Sequence, residues 1–361
     1  GINDWGGVSP ITADHVNPEA PWPEITRLHA GTAEKNKALA ARLPVYPDYI
    51  FDDGWLDDAV RPAVLRAMDG DGLARDDFWS PGDPETDPVA PSVIGGDGRT
   101  LRQALDSAAA GNRLDEGAIE ALFSARGSAF GDVTAAANDL RAEVCGDTVS
   151  YAVNRNINYT NVCGYRCGFC AFSKGRLSAN LRGAPYDLAL DEIARRAAEA
   201  WARGATEVCL QGGIHPAYTG QTYLDICRAV KAAQPNMHVH AFSPLEVFQG
   251  AETLGQPLKD YLRDLKEAGL DTLPGTAAEL LDDEVRTILC PDKLTTQLWL
   301  DGMRAAHEVG FKTTATVMYG HVERPEHWSR HLLRLRELQE ETGGFTEFVP
   351  LPFVAHEAPI Y

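Results

Sequence analysis

Three cysteines carry the chemistry that can be read most directly from this chain. Cys163, Cys167 and Cys170 occupy one short segment with the spacing C-x3-C-x2-C. Three thiolates on one loop supply three soft ligands, one fewer than the four that complete a [4Fe-4S] cluster or a structural zinc site. A cluster held by three cysteines leaves one iron open to a further ligand. We therefore interpret this segment as a cluster-binding loop.

Disulfide bonds and zinc are the alternatives for these cysteines. The chain has seven cysteines, an odd number, and no apolar signal segment at its start, which indicates a reducing compartment such as the cytoplasm. A zinc site needs a fourth His or Cys, and the nearest cysteines, Cys145 and Cys209, lie in or beside apolar runs typical of packing. Cys227 and Cys290 have no sequence neighbours that suggest chemistry.

Composition and charge exclude several classes of function. The chain has 361 residues, of which 44% are hydrophobic, and no uninterrupted apolar stretch is long enough to cross a bilayer. The 33 basic and 52 acidic residues give a net charge of −19, which repels phosphate backbones. We therefore expect neither a nucleic acid nor a membrane as a partner. Much of the acidic excess lies between Phe51 and Ala90, where Gly and Pro are frequent, as in a solvated linker.

Strand and helix patterns alternate regularly after residue 147. This alternation predicts an α/β fold, a TIM-type parallel (β/α) barrel with its helices outside. The predicted strands number six, two short of a closed eight-stranded barrel. They cover 149–159, 207–210, 238–242, Thr272, 313–319 and 346–349, with helices at 188–203, 223–233, 258–268, 276–288, 296–309 and 328–342.

The residues before the barrel divide into three regions. A helix is predicted from Trp22 to Leu43, ended by Pro44, and a shorter one from Leu56 to Met68. Three amphipathic helices follow between residues 100 and 144, the second capped by Asp115. We expect a terminal segment at 1–50, an acidic linker at 51–97, a helical prelude at 98–146 and an incomplete barrel at 147–361. Both ends look like the interior of a longer polypeptide.

Polar segments follow the predicted strands, where active-site groups of parallel barrels lie. The second strand is followed by two glycines, which let a backbone approach a ligand without a Cβ in the way. The third and fourth strands are followed by Ser243 with Glu246 and by Thr276 with Glu279. Both of these pairs also have the spacing of a helix capping box, so a purely structural role is equally open for each.

Histidines supply the candidate proton-transfer groups. His321 and Glu323 follow the fifth strand on alternate positions, which suggests proton transfer or substrate anchoring, and His215 is a second candidate. His238 and His240 alternate with apolar residues on the third strand, so one of them is a candidate to face the barrel interior. A structural role is the commoner one for any single histidine.

The cysteine loop resembles that of the radical S-adenosylmethionine (SAM) enzymes. The resemblance implies a [4Fe-4S] cluster on the three cysteines, with SAM chelated by the open iron and cleaved to a 5′-deoxyadenosyl radical. It also implies that Phe169 covers the adenine and that Gly212 and Gly213 contact the methionyl amino group. Residues assigned to cofactor binding on this basis are Phe169, Gln211, Gly212, Gly213, Ser243 and Glu279.

Longer segments of the sequence resemble one particular family of radical SAM enzymes, the FO synthases. They cover 153–163, 210–216, 238–244, 272–279 and 345–353. The resemblance implies transfer of the 4-hydroxybenzyl group of L-tyrosine to 5-amino-6-(D-ribitylamino)uracil, with ferredoxin or flavodoxin as electron donor. The segments 3–10 and 14–19 resemble the tail of the cyclising radical SAM module to which this module is fused. Menaquinone-pathway radical SAM enzymes share the cysteine loop, and a non-catalytic metal-binding protein is a further alternative.

Overall fold

The computed structural model describes residues 25–52, 54–57, 59–69, 71–74, 98–148, 150–172, 185–354 and 358–360. The chain divides into two compact units, Gly1–Val89 and Ala90–Tyr361. Within its described residues, the first unit contains three short helices, α1 (Ile25–Ala33), α2 (Pro47–Ile50) and α3 (Arg61–Ala67). The segments 3–10 and 14–19, and residues 75–97 of the predicted linker, lie outside the described residues.

Both helices predicted in the first unit are shorter than expected. The prediction from Trp22 to Leu43 is wrong beyond Ala33, where α1 ends. Asn36 then adopts the left-handed conformation with φ of 55°, which a right-handed helix cannot include. Helix α3 begins at Arg61 and not at Leu56, because the proline in its first turn lacks an N–H and fits best at a helix start.

The second unit opens with the three predicted helices, α4 (Gly98–Ala109), α5 (Glu116–Phe123) and α6 (Ser128–Cys145). Asp115 caps α5 as predicted, since its Oδ1 accepts a hydrogen bond from Ala118 N at 2.8 Å. Helix α5 packs against the later helix α13 (Pro325–Thr342), where the rings of Phe123 and Trp328 lie 4.9 Å apart.

The rest of the second unit is a half-barrel of six parallel strands in the order β1 to β6, which confirms the predicted α/β fold. The strands are β1 (Asn154–Asn158), β2 (Glu207–Gln211), β3 (His238–Ala241), β4 (Thr272–Leu273), β5 (Lys312–Tyr319) and β6 (Phe345–Pro352). The helices between them are α7 (Leu190–Ala202), α8 (Gly220–Ala233), α9 (Pro244–Leu254), α10 (Leu258–Ala268), α11 (Asp283–Leu289) and α12 (Thr296–Glu308), followed by α13.

Two helical segments differ from the prediction. Helix α9 was not expected, although Ser243 and Pro244 are typical of a helix start. The helix predicted over residues 276–288 is wrong in its first half, and α11 begins only at Asp283. Ala277 and Glu279 have φ values of 62° and 44°, and these left-handed residues keep the segment out of helical geometry.

The outer face of the sheet packs on the helices. Val208 and Leu210 of β2 and Val239 of β3 are fully buried in the largest hydrophobic cluster, with side chains from α7, α8 and α10. Side chains alternate across a strand, so Cys209 and Gln211 project to the inner face. The inner face is the one that meets the cavity described below.

Strands β1 and β6 are the two edges of this sheet within the described residues. Strand β6 pairs with β5 along its length and is exposed over seven of its eight residues, with prolines at positions 350 and 352. Over the described part of the chain, no helix combines the length and apolar character needed to cross a lipid bilayer.

Candidate functional site: a three-cysteine cavity

The cysteine loop leaves the carboxyl end of β1 and is held from two sides. On one side, Gly164 N donates to Ile214 O at 2.9 Å, and Ile214 N lies 3.3 Å from Cys163 Sγ. On the other side, Gly168 N donates to Leu289 O at 2.7 Å, at the end of α11. These hydrogen bonds fix the loop against the connection after β2 and against the end of α11.

The Gly212–Gly213 pair allows the connection after β2 to lie directly on the cysteine loop. A Cβ on Gly213 would stand 2.3 Å from Val162 O and 2.9 Å from Cys163 Cβ. A Cβ on Gly212 would stand 2.2 Å from the Tyr159 ring. Both distances are far below van der Waals contact, so only glycine fits at either position.

All three cysteines line one cavity of about 250 Å³ at the carboxyl ends of the strands. Six cofactor-binding residues predicted from the sequence line it too, namely Phe169, Gln211, Gly212, Gly213, Ser243 and Glu279. Other lining residues are Tyr165, Leu245, Glu246, Lys293, Thr316 and Met318. The structure therefore brings together the cysteine loop and the polar segments that follow β2, β3 and β4.

The donor set of the cavity fits a [4Fe-4S] cluster with one open iron. Its three thiols come from one loop, and no histidine or fourth cysteine among the described residues joins them in the cavity wall. Burial raises the pKa of the Cys167 thiol to about 12, although Lys293 acts in the opposite direction. The thiolate form of Cys167 thus needs a bound positive group, and cluster binding would release its proton.

Glu246 is a buried carboxyl in the wall of the cavity. It is 4% exposed, and its oxygens accept hydrogen bonds from Tyr159 Oη and from Ser243 Oγ and N, both at 2.7 Å. Burial raises the pKa of Glu246, while the hydrogen bonds from Tyr159 and Ser243 lower it in part. Ser243 and Glu246 also form the capping box of α9, so the structural role left open above is present here.

Glu279 and Lys293 form an ion pair in the cavity wall. Lys293 Nζ donates to Glu279 Oε1 at 2.6 Å, and the two side chains are 13% and 8% exposed. The same Nζ lies 5.3 Å from the centre of the Phe169 ring. Thr276 and Glu279 do not form a capping box, because the segment between them is not helical. A non-glycine residue with positive φ, such as Glu279, is typical of functional sites.

The three predicted catalytic residues lie outside the lining of the cavity. His321 Nε2 is 3.0 Å from Met318 O, and its Nδ1 is 2.6 Å from Glu323 Oε2. Glu323 also accepts hydrogen bonds from the backbone N–H groups of Gly320 and His321. His215 stacks on Tyr218 with ring centres 4.8 Å apart. All three side chains therefore have contacts that stabilise their own loops.

Sequence reasoning missed Lys293 and Tyr159 as parts of the cavity region. Lys293 lies far along the chain from the cysteine loop, and no local pattern links the two. Tyr159 ends the predicted first strand and looks like an ordinary core aromatic. Lys293 follows Cys290 by three residues, in the run Cys290-Pro291-Asp292-Lys293, and nothing in this run indicates a cavity residue.

Comparison with known proteins gives close relatives over the entire chain. The FO synthases of Streptomyces avermitilis and Mycobacterium tuberculosis are each 44% identical to it over 100% of its length, which is 47% of theirs. The chain thus spans about half the length of these relatives. The "5-amino-6-(D-ribitylamino)uracil–L-tyrosine 4-hydroxyphenyl transferase" of Methanopyrus kandleri is 51% identical over 63% of this chain and 61% of its own.

Solved structures share the fold at low sequence identity. Methylornithine synthase superposes with a TM-score of 0.54 and 20% identity, covering 71% of this chain and 70% of its own. The FeFe-hydrogenase maturase HydG of Carboxydothermus hydrogenoformans gives a TM-score of 0.55 at 17% identity, over 73% and 59%. Residues 157–335, which begin within β1 and contain the cysteine loop and β2 to β5, match the radical SAM superfamily. The chain therefore contains a radical SAM domain and is homologous over its full length to the FO synthases.

Proposed function

We propose that this chain is the tyrosine-transferring module of an FO synthase. It would couple the 4-hydroxybenzyl group of L-tyrosine to 5-amino-6-(D-ribitylamino)uracil. The observation that carries this proposal is the 51% identity to a hydroxyphenyl transferase over 229 residues, which are 63% of this chain. The three-cysteine cavity at the strand ends supports the same chemistry.

Cys163, Cys167 and Cys170 would hold the [4Fe-4S] cluster. When bound, the reduced cluster and SAM supply a 5′-deoxyadenosyl radical that removes hydrogen from the substrate. The chain's own task is to orient the ligands and to keep water from the reacting carbon atoms. Tyr165, Leu245 and Met318 provide the apolar part of the cavity wall for this purpose.

The charged groups of the cavity suit an amino-acid head group. Lys293 is the single basic residue in the cavity lining within the described part of the chain, and it faces two carboxyls, Glu246 and Glu279. A zwitterion needs one cation and one acceptor at short range, which this arrangement supplies. We assign Lys293 to the methionyl carboxylate of SAM. His321, Glu323 and His215 then position loops at the cavity mouth, and direct proton transfer by them stays a prediction.

The relatives' length suggests the partners of this module. They are about twice as long as this chain, which is consistent with a fused cyclising module. Residues 1–50 would be the tail of that module and 51–97 the linker to the prelude at 98–146. A low-potential donor such as ferredoxin or flavodoxin would reduce the cluster, and we place the reaction in the reducing cytoplasm.

Anaerobic reconstitution with iron and sulfide tests the function. With SAM, dithionite, L-tyrosine and the ribitylaminouracil, the chain should yield 5′-deoxyadenosine and the coupled product, both measured by mass spectrometry. Serine at position 163, 167 or 170 removes a soft ligand and should abolish both products and the iron–sulfur absorbance. Cys145→Ser is the matched control, because Cys145 is exposed and does not line the cavity.

Two results would contradict the proposal. Deoxyadenosine formation without a coupled product, together with turnover of a purine nucleoside, would indicate a menaquinone-pathway enzyme. Unchanged absorbance in the Cys167→Ser variant would show that the cluster is held elsewhere.

A further inference from the structure

The inner face of the half-barrel is lined by polar side chains in register. Asn156 of β1 pairs with Cys209 of β2, Cys209 with His240 of β3, and His240 with Thr272 of β4. Parallel barrels normally fill this space with branched apolar residues. Here Asn156 is exposed, and His240 and Thr272 are half-buried. Cys209 is buried, whereas the three polar side chains of the row are at least partly accessible on the inner face.

This polar row lies on the same face as the three-cysteine cavity. Gln211, two residues after Cys209, lines the cavity, and side chains two apart on a strand share a face. On β3, Val239 and Ala241 are buried in the outer cluster, so His240 projects inward. The row thus forms the floor below the cavity.

A hydrogen-bond relay fixes the proton on His240. Thr272 Oγ1 is 2.8 Å from His238 Nε2 and 2.7 Å from His240 Nδ1, and one hydroxyl can donate to only one of them. Glu207 Oε2, 3.8 Å from His238 Nε2, favours an N–H on that nitrogen. His238 therefore donates to Thr272, Thr272 donates to His240 Nδ1, and His240 carries its hydrogen on Nε2.

His240 Nε2 then offers a neutral donor to the barrel interior. Burial, helped by the nearby His238, lowers the pKa of His240 to about 4, so the ring is uncharged at neutral pH. Among the described residues, neither this Nε2 nor the Asn156 carboxamide has a hydrogen-bond partner. Two polar groups on one face without protein partners suit a ligand that both donates and accepts.

The charges near the row exclude an anionic ligand. The basic residues of β1 and β5 bond elsewhere, Arg155 to Glu199 at 2.8 Å and Lys312 Nζ to Gly343 O at 2.8 Å. A carboxylate or phosphate would find no cation here, whereas an uncharged polyol would find several partners. Adjacent strands lie about 4.8 Å apart, so the row from β1 to β4 extends over roughly 14 Å. This length suits a chain that carries several hydroxyl groups.

We propose that Asn156, His240 and Thr272 bind the hydroxylated side chain of the second substrate, with His240 as the specificity-determining residue. The proposal rests on the function proposed above and adds the site of the ribityl chain. The tyrosine head group would bind separately, near the carboxyls at the strand ends.

Ligand affinity tests the proposal on reconstituted protein with bound SAM. The probe is 6-(D-ribitylamino)uracil, which lacks the 5-amino group, and its affinity is measured by titration calorimetry beside those of 6-aminouracil and L-tyrosine. His240→Leu should weaken binding of the ribityl probe at least tenfold, with less than a threefold change for the other two ligands. Thr272→Val removes the hydroxyl that hydrogen-bonds His240 Nδ1 and should weaken binding of the ribityl probe about threefold to tenfold. His240→Gln retains a donor and should therefore keep part of the affinity that His240→Leu loses.

Thr313→Val is the matched control for the threonine variant. Thr313 Oγ1 bonds His307 Nε2 at 2.8 Å on the outer face of the same sheet, so its loss should leave all three affinities unchanged. Ribityl affinity equal to wild type in both the His240→Leu and Thr272→Val variants would overturn the proposal. If these variants lose affinity for L-tyrosine and not for the ribityl probe, the proposal is also overturned, and the row would instead bind the phenol of tyrosine. If the wild-type chain gives no coupled product, the proposed function is refuted. This result does not depend on any variant.

Discussion

Lys293 places a buried cation in the wall of the cavity, 2.6 Å from Glu279 Oε1. Burial alone would lower the pKa of Lys293, but the Glu279 carboxylate more than offsets this, so the pKa is raised. The ammonium group therefore stays charged throughout the working pH range. A fixed positive charge at this position can hold an anionic ligand group without a change of protonation.

Replacing Lys293 by methionine keeps the length of the side chain and removes its charge. We expect at least a tenfold loss of SAM affinity in reconstituted protein, measured by equilibrium dialysis. We also expect a loss of about 3 kcal/mol in the free energy of unfolding, since Glu279 is left buried without a partner. Lys259→Met is the control, because Lys259 pairs with Glu308 on the surface, where an ion pair contributes about 0–1 kcal/mol. Unchanged SAM affinity in Lys293→Met would remove Lys293 from the binding site.

At the scale of elements, the connection after β2 and the cysteine loop act as one piece. Gly213 lies where a Cβ would stand 2.3 Å from Val162 O, and Gly213 N donates to Thr160 O at 2.8 Å. The position of Cys163 thus depends on the absence of a side chain one strand away.

The Gly213→Ala substitution should push the connection after β2 away from the cysteine loop. We expect a loss of about 1–3 kcal/mol in the free energy of unfolding from overpacking, and fewer iron atoms per chain after reconstitution. Gly131→Ala in α6 is the matched control, since a Cβ there meets no atom within 4 Å, and it should stabilise the helix by about 1 kcal/mol. Urea unfolding and iron analysis measure both effects. Normal iron content in the Gly213→Ala variant would show that the cysteine loop still binds a cluster when the connection after β2 is displaced.

Much of the barrel could be predicted from sequence because each strand is bounded by glycine, proline or polar residues and followed by an amphipathic helix. The cysteine loop was identified by spacing alone. Two features could not be predicted. The left-handed residues Ala277 and Glu279 depend on packing against β5 and not on local propensity. Lys293 joins the cavity through the path of α11, a contact between distant parts of the chain that no local pattern encodes.

At the scale of the whole molecule, buried histidines link stability to pH. His331 is completely buried in α13, and its Nδ1 accepts a hydrogen bond from Leu281 N at 2.9 Å. Burial lowers the pKa of His331 to about 3, below the value of 6.5 for an exposed histidine. The unfolded chain therefore binds this proton first, and the contribution of His331 to stability falls as the pH drops below 6.5.

Through His331 alone, lowering the pH from 7.5 to 5 should reduce the free energy of unfolding by about 2 kcal/mol. The His331→Gln variant keeps an acceptor for Leu281 N but does not titrate. It should be less stable at pH 7.5, with a pH dependence smaller by about the same 2 kcal/mol. Urea unfolding of both proteins at the two pH values cancels the contributions of all other titrating groups. Parallel pH profiles would show that His331 is protonated in the folded state or that the site opens locally.

The prolines of β6 have a consequence for the behaviour of the protein in concentrated solution. An uncovered strand at the rim of a sheet is a template on which a second chain can add, and this is a common start of fibrous association. Pro350 and Pro352 carry no N–H, so two of the donors that an incoming strand would require do not exist. Within the described part of the chain, the β6 edge of the sheet is therefore a poor template for a strand from another molecule.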